Sequence, residues 1–319
     1  MTMQISKQLE ELKSYAVRPT HRQLLLDLQH AREGDSKAQL AVCGALVWSA
    51  FAAPAALGSI YDLQSHVYAG FDLNGETIDG DEVELPMTFW QAFDELLIGP
   101  KDGYDASSIT AAVASLGGSV APRFHDLVES AAREHPGADN AAEKDIPPLL
   151  QLAELSAAPE GSLGHDLYRM LVENGYDAEV LDRDSIGLAK LKPAVRYLNT
   201  RILQMHDVWH LVAGYQTTSL HEIAISSFQL AQFGHNYSAM FLAAVSVMSQ
   251  KNSTDAFNLM MQIIAESWVH GRQSPPFMAI AFESEWSDTL EQVRNRHNIA
   301  TFQGSFPPDL FEQLKAAAS

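Results

Sequence analysis

From Ile202 to Gln250 the chain carries only two formal charges, Asp207 and Glu222, where average composition would place roughly ten. Both are acidic. The stretch holds no Lys and no Arg, yet it has four histidines: His206, His210, His221 and His235. A helix with no solvated face is buried all round, and a carboxylate buried without a cation is costly. The stretch therefore reads as interior helix that draws a positive partner from outside itself.

The spacing indicates what that partner could be. On a helix, His206 and His210 stand one turn apart on one face, and Asp207 falls within about 100° of arc of both. Met205, Val208, Trp209 and Val212 cover the other side, so the polar stripe is expected to look inward. Two imidazoles with one or two carboxylates suit Zn²⁺, Fe²⁺ or Mn²⁺. Each residue also has a plain structural reading. With twelve histidines in the chain, an HxxxH pair is a weak signal by itself. Ser219-Leu220-His221-Glu222 fits a capping box in which Glu222 reaches back to the N-cap N–H.

The wider pattern narrows these alternatives. His206-Asp207-Val208-Trp209-His210, eleven residues and then Glu222 give HDxxH-x11-E, which resembles the signature of the fourth ubiquinone (coenzyme Q) biosynthesis protein family. Further segments are similar to that family's motifs: Pro159-Glu160-Gly161-Ser162-Leu163-Gly164 followed by Tyr168, His210 to Tyr215, and His270-Gly271-Arg272 with Pro275-Pro276. The resemblance spans about Phe89 to Ile299. One position departs from it, because His221 stands where the family has glycine before the motif Glu.

The resemblance implies a metal site of His206, Asp207, His210 and Glu222, with zinc the first candidate and iron or manganese open. It implies metal-dependent oxidative removal of the C1 carboxylate from a polyprenylated hydroxybenzoate in ubiquinone synthesis. The alternative is a non-catalytic scaffold that binds the lipid and organises other ubiquinone-biosynthesis proteins. A polyprenylated phenolic lipid, those proteins, a membrane surface and a second copy of the chain are the expected partners. A third class, the HD-type metallophosphohydrolases, lacks here its distant second HD and Asp ligands.

Composition excludes other classes. A net charge of −19 offers no basic stripe for nucleic acid. The single Cys43 excludes an internal disulfide and fits a reducing compartment. It sits among Leu40, Ala41, Val42 and Leu46, as a buried inert thiol would. The first residues have neither an apolar signal region nor an Arg-rich, acid-poor make-up, so the expected location is cytoplasmic, peripheral on the inner membrane.

No segment sustains period-two alternation, so the expected fold is all-α, a multi-helix bundle with a buried metal-binding helix pair. Thr20 can cap a helix that Gly34 stops. Ala38 to Tyr61 is uncharged but broken by Gly44, Pro54 and Gly58, which predicts two buried helices joined at Pro54 rather than a membrane span. The acidic run Asp72 to Glu84 reads as a solvated linker, dividing a helical amino-terminal extension (1–85) from the family domain (86–319). Helices are expected from Thr88, over Ile109 to Leu116, Pro122 to Glu134 and Leu167 to Val172, then Pro193 to Gly214, from Glu222, and over Ser238 to Met248, Thr254 to His270 and Phe277 to His297. Met240, Phe241, Leu242, Val245, Met248, Phe257, Met260, Met261 and Ile264 are plain core or, as the resemblance suggests, the lining of a prenyl-tail channel. Arg272 is the nearest motif cation, for the site or for a surface salt bridge.

Overall fold

Every regular element among the described residues is an α-helix or a short 3-10 turn. The computed structural model describes residues 6–318 apart from 74, 76, 102, 105, 139, 176–182 and 185–186. Helices α1 (Lys7–Tyr15), α2 (His21–Arg32), α3 (Ser36–Phe51) and α4 (Leu57–Ala69) precede the acidic run. After it come α5 (Met87–Ile98), α6 (Ala106–Leu116), α7 (Phe124–Glu134), α8 (Leu152–Ser156) and α9 (Leu163–Asn174). Four longer helices follow, α10 (Pro193–Ala213), α11 (Ser219–Phe233), α12 (Asn236–Asn252) and α13 (Thr254–Gln273), and then α14 (Leu290–His297) and α15 (Leu310–Ala318). The protein is an all-α multi-helix bundle.

Local chemistry sets the boundaries. Thr20, Asp35 and Ser253 cap α2, α3 and α13 by accepting backbone N–H bonds, each worth about 1 kcal/mol. Pro54 opens a 3-10 turn that separates α3 from α4, as the proline predicts. No helix among the described residues is long and apolar enough to cross a membrane. The expected helix over Phe277 to His297 is not one helix. It is two 3-10 turns, Phe277–Ala279 and Phe282–Glu285, and then α14, which starts at a complete Thr289/Gln292 capping box.

The acidic run is irregular, with its described carboxylates turned outward, but it is tied down. Ile78 is buried, Val83 N–H donates to Ala52 O (3.0 Å), Trp48 Nε1–H donates to Glu82 (2.7 Å) and Arg123 pairs with Asp81 (2.8 Å). Around it α3 packs on α12 and α4 on α13, and one hydrophobic core runs from Leu9 to Phe302. That core crosses the boundary expected near residue 85.

The site is placed by α10, which packs on α7, α9 and α14, and by α11, which packs on α12, α13 and α15.

Candidate metal centre

Helix α10 is fixed at both ends. Pro193 occupies its first turn, where a missing N–H costs nothing. The buried Glu129 carboxylate accepts the next two N–H groups, those of Ala194 and Val195 (both 3.1 Å). At the far end Gly214 takes φ = 79° and donates to His210 O, reversing the chain. Thr218, not Ser219, is the N-cap of α11, and its hydroxyl accepts the N–H of His221. Glu222 is thereby one residue past the capping-box position. Its carboxylate has no cap to make and turns back towards α10, which corrects the capping reading.

Two histidines meet it there. His206 Nε2 and His210 Nε2 lie 3.0 Å apart, and each is 3.3 Å from a different oxygen of Glu222. Three donor atoms, one per residue, fall within 4.8 Å of one another. The His210 side chain is 1% exposed, against 28% for His206 and 40% for Glu222. The polar stripe is therefore buried only at its His210 edge and opens to solvent at the other, a correction to the expected inward-facing stripe.

The charges are matched. Burial of the Glu222 carboxyl opposes ionisation, but hydrogen bonds to His206 and His210 and their charge hold it well below the usual carboxylate range. Burial likewise opposes a charged His206, and here the hydrogen bond to Glu222, with the charges of Glu222 and Asp207, raises the ring above its ordinary value. The described contacts of Glu222 are thus the two imidazoles of the neighbouring helix. Asp207 is half-buried, makes no hydrogen bond with the described residues and stands outside the donor group. It acts on His206 through its charge alone.

The outer nitrogens are held as well. His210 Nδ1–H donates to the Tyr215 carbonyl (3.2 Å), which turns Nε2 towards Glu222 as the nitrogen a metal-binding imidazole would use. The buried amide of Gln229 meets His206 Nδ1 at 2.7 Å. Two imidazole nitrogens and a carboxylate oxygen fit Zn²⁺, Fe²⁺ or Mn²⁺.

The remaining motifs build the wall behind the site. Tyr215 O–H donates to His270 Nδ1 (2.8 Å), and His270 Nε2–H donates to Ala300 O (2.9 Å). A methyl group on Gly271 would stand 2.8 Å from Phe228 O and 2.7 Å from Ala231 Cβ, so the glycine lets α13 close on α11. A methyl group on Gly164 would stand 2.9 Å from Trp286 Cβ and 3.0 Å from Trp286 O. Arg272 pairs with Asp62 of α4 (2.8 Å), the salt-bridge reading. His221 Nδ1 accepts the N–H of Gln216 (2.8 Å) and its ring packs edge-on against Tyr215 and Phe302. It braces the turn and is not in the donor group.

The apolar residues of α12 and α13 are core. Leu242, Phe257, Met261 and Ile264 are fully buried, with α13 held to α4 by Gln64 Nε2–H donating to Met261 O (3.2 Å) and to α11 by Ser227 O–H donating to Ile264 O (2.8 Å). Phe241, Val245 and Met248 are partly buried against that core. Gln229 and Glu129 were not singled out from the sequence. Gln229 stands two turns beyond Glu222 on one face, a usable signal, whereas nothing in the spacing joins Glu129 to α10.

The comparisons extend the motif match. The profile described as Coenzyme Q (ubiquinone) biosynthesis protein Coq4 matches residues 142–303, a range that begins well after Phe89. The mitochondrial ubiquinone biosynthesis protein COQ4 homolog of Danio rerio is 30% identical over 156 residues, covering 47% of this chain and 54% of that protein. That of Homo sapiens is 25% identical over 154 residues, covering 47% and 55%. The chain spans about half the length of the curated relatives it matches. A crystal structure from Nostoc punctiforme, of a protein named for ubiquinone biosynthesis, shares the fold, with TM-score 0.50 and 22% identity over 67% of this chain and 98% of that one. The helix pair that brings His206, His210 and Glu222 together lies wholly inside the profile's range, and this chain belongs to the coenzyme Q (ubiquinone) biosynthesis protein Coq4 family.

Proposed function

We propose that the protein acts in ubiquinone biosynthesis as a metal-dependent enzyme that oxidatively decarboxylates a polyprenylated hydroxybenzoate at C1: the bond from ring to carboxylate breaks, CO2 leaves, a bond from ring to hydroxyl forms, and dioxygen is the two-electron oxidant. The convergence of His206, His210 and Glu222 within 4.8 Å carries this reading. Three protein ligands leave a cation an open position, the pattern of catalytic rather than structural sites. A divalent cation bound there supplies Lewis-acid polarisation of a substrate oxygen. His210, buried and tied to Tyr215, forms the fixed wall. His206 and Glu222 form the exposed lip at which an aromatic acid can arrive. Other ubiquinone-biosynthesis proteins, a membrane surface and a second copy of the chain are the partners this reading implies.

The test is metal content and complementation. Purified protein is expected to hold about one divalent ion per chain, zinc before iron or manganese. His206→Ala and His210→Ala are expected to stay helical by circular dichroism, lose the ion and fail to restore ubiquinone in cells lacking this protein. Wild-type protein that takes up none of the three ions rejects the metal reading. Folded, metal-free variants that still restore ubiquinone make the protein a lipid-binding scaffold.

A further inference from the structure

Gln229 lies on α11 two helical turns after Glu222, so both side chains leave the same face. It is 3% exposed, and its Nε2 is 2.7 Å from His206 Nδ1. Three contacts here form a single hydrogen-bonded chain with one consistent set of protons. His210 donates through Nδ1 to the Tyr215 carbonyl, so its neutral ring accepts at Nε2. With both rings neutral, the proton in the 3.0 Å contact between the two Nε2 atoms is then on His206. A neutral His206 that donates through Nε2 accepts at Nδ1, and the Gln229 amide supplies that N–H. In this arrangement the His206 lone pair faces Gln229 and not Glu222.

A cation shared by both Nε2 atoms requires the reverse. The His206 proton then belongs on Nδ1, where a buried N–H without an acceptor costs about 1–3 kcal/mol. The group in contact with that nitrogen is Gln229, whose carboxamide carries a donor and an acceptor in nearly the same shape. We propose that Gln229 is the positioning residue that sets which nitrogen of His206 faces the site, its carboxamide turning over when a cation is bound. The inference rests on the metal reading given above. It makes Gln229 the counterpart, for His206, of the Tyr215 carbonyl for His210. A carboxylate at residue 229 accepts from Nδ1–H without turning, and carboxylate–histidine–metal arrangements raise ligand basicity.

Zinc affinity of the full chain, measured by competition with a chelator, separates the outcomes. Gln229→Leu is expected to bind zinc about 10- to 100-fold more weakly than wild type, and Gln229→Glu as tightly or more tightly. Zinc-loaded wild type and Gln229→Glu are expected to show a His206 Nδ1–H resonance protected from exchange. Thermal melting of the metal-free proteins monitors the fold. If Gln229→Leu does not fold, Gln229→Glu and the resonance decide. Equal affinity in all three proteins overturns the inference, as does a Glu variant as weak as the Leu variant, or zinc-loaded wild type with the proton on His206 Nε2. Wild type that binds no zinc rejects the metal reading itself.

Discussion

Glu222 sits in the fourth position of its helix, where a side chain has no capping duty, since Thr218 meets the N–H of His221. Its carboxylate is spent on two imidazoles instead, so replacing it separates charge from shape. Glu222→Gln is expected to keep the helical content of the wild type and to lose about tenfold or more in zinc affinity, because the remaining ligands are neutral. Isothermal titration against the wild type checks this, and unchanged affinity removes Glu222 from the ligand set. At this scale the sequence was legible where chemistry repeats at helical spacing: His206, His210 and Glu222 come together. The structure sets the Asp207 carboxylate apart from the other three side chains, since adjacency to His206 does not aim a side chain and one residue is about 100° of rotation. His221 was also ambiguous, since only the turn at Gln216 shows what its ring holds.

Between elements, the site depends on how closely α11 is pressed against its neighbour. Gly271 of α13 leaves no room for a side chain against Phe228 O and Ala231 Cβ. Gly271→Ala is expected to cost about 1–3 kcal/mol of folding stability by overpacking. It is also expected to weaken zinc binding, since the displaced helix carries Glu222. Chemical denaturation and zinc titration of the variant read both effects, and normal stability with normal affinity would refute the close-packing account. Helices with caps and periodic apolar faces were legible at this scale, α10 almost to the residue. The segment Phe277 to His297 was misread because its apolar spacing resembles a helix, while Pro275-Pro276 before it and the Thr289 cap within it break the run. Pairing across the bundle, such as Glu129 with the start of α10, depends on tertiary contact that no local pattern encodes.

For the molecule as a whole, buried histidines set the acid limit. Burial pushes His135 down to about 4 and, with the charge of His206 a second cause, His235 down to about 3. Both bind protons more readily once unfolded, so their contribution is complete above the ordinary histidine value and declines as pH falls. His206, raised, acts in the opposite sense: its contribution is complete below the ordinary value and is lost as pH rises through the raised one. For His235, which is 8% exposed and bonded to Asn199 and Ser238, the loss between pH 6.5 and pH 4 is on the order of 3 kcal/mol. Unfolding free energy is expected to fall across that window, and more gently in His235→Asn. Identical slopes for the two proteins would show that His235 does not carry the effect.

The continuity of the core between the first four helices and the rest has a consequence for truncation. An appendage with a core of its own can be gained, lost or exchanged whole. Here α3 lies against α12 and α4 against α13, and Asp62 holds both Arg272 and the indole of Trp268. A change on either side of that contact is felt on the other, so removing the amino-terminal helices would strip the cover from α12 and α13 and leave Arg272 and the Trp268 indole without the carboxylate that holds them.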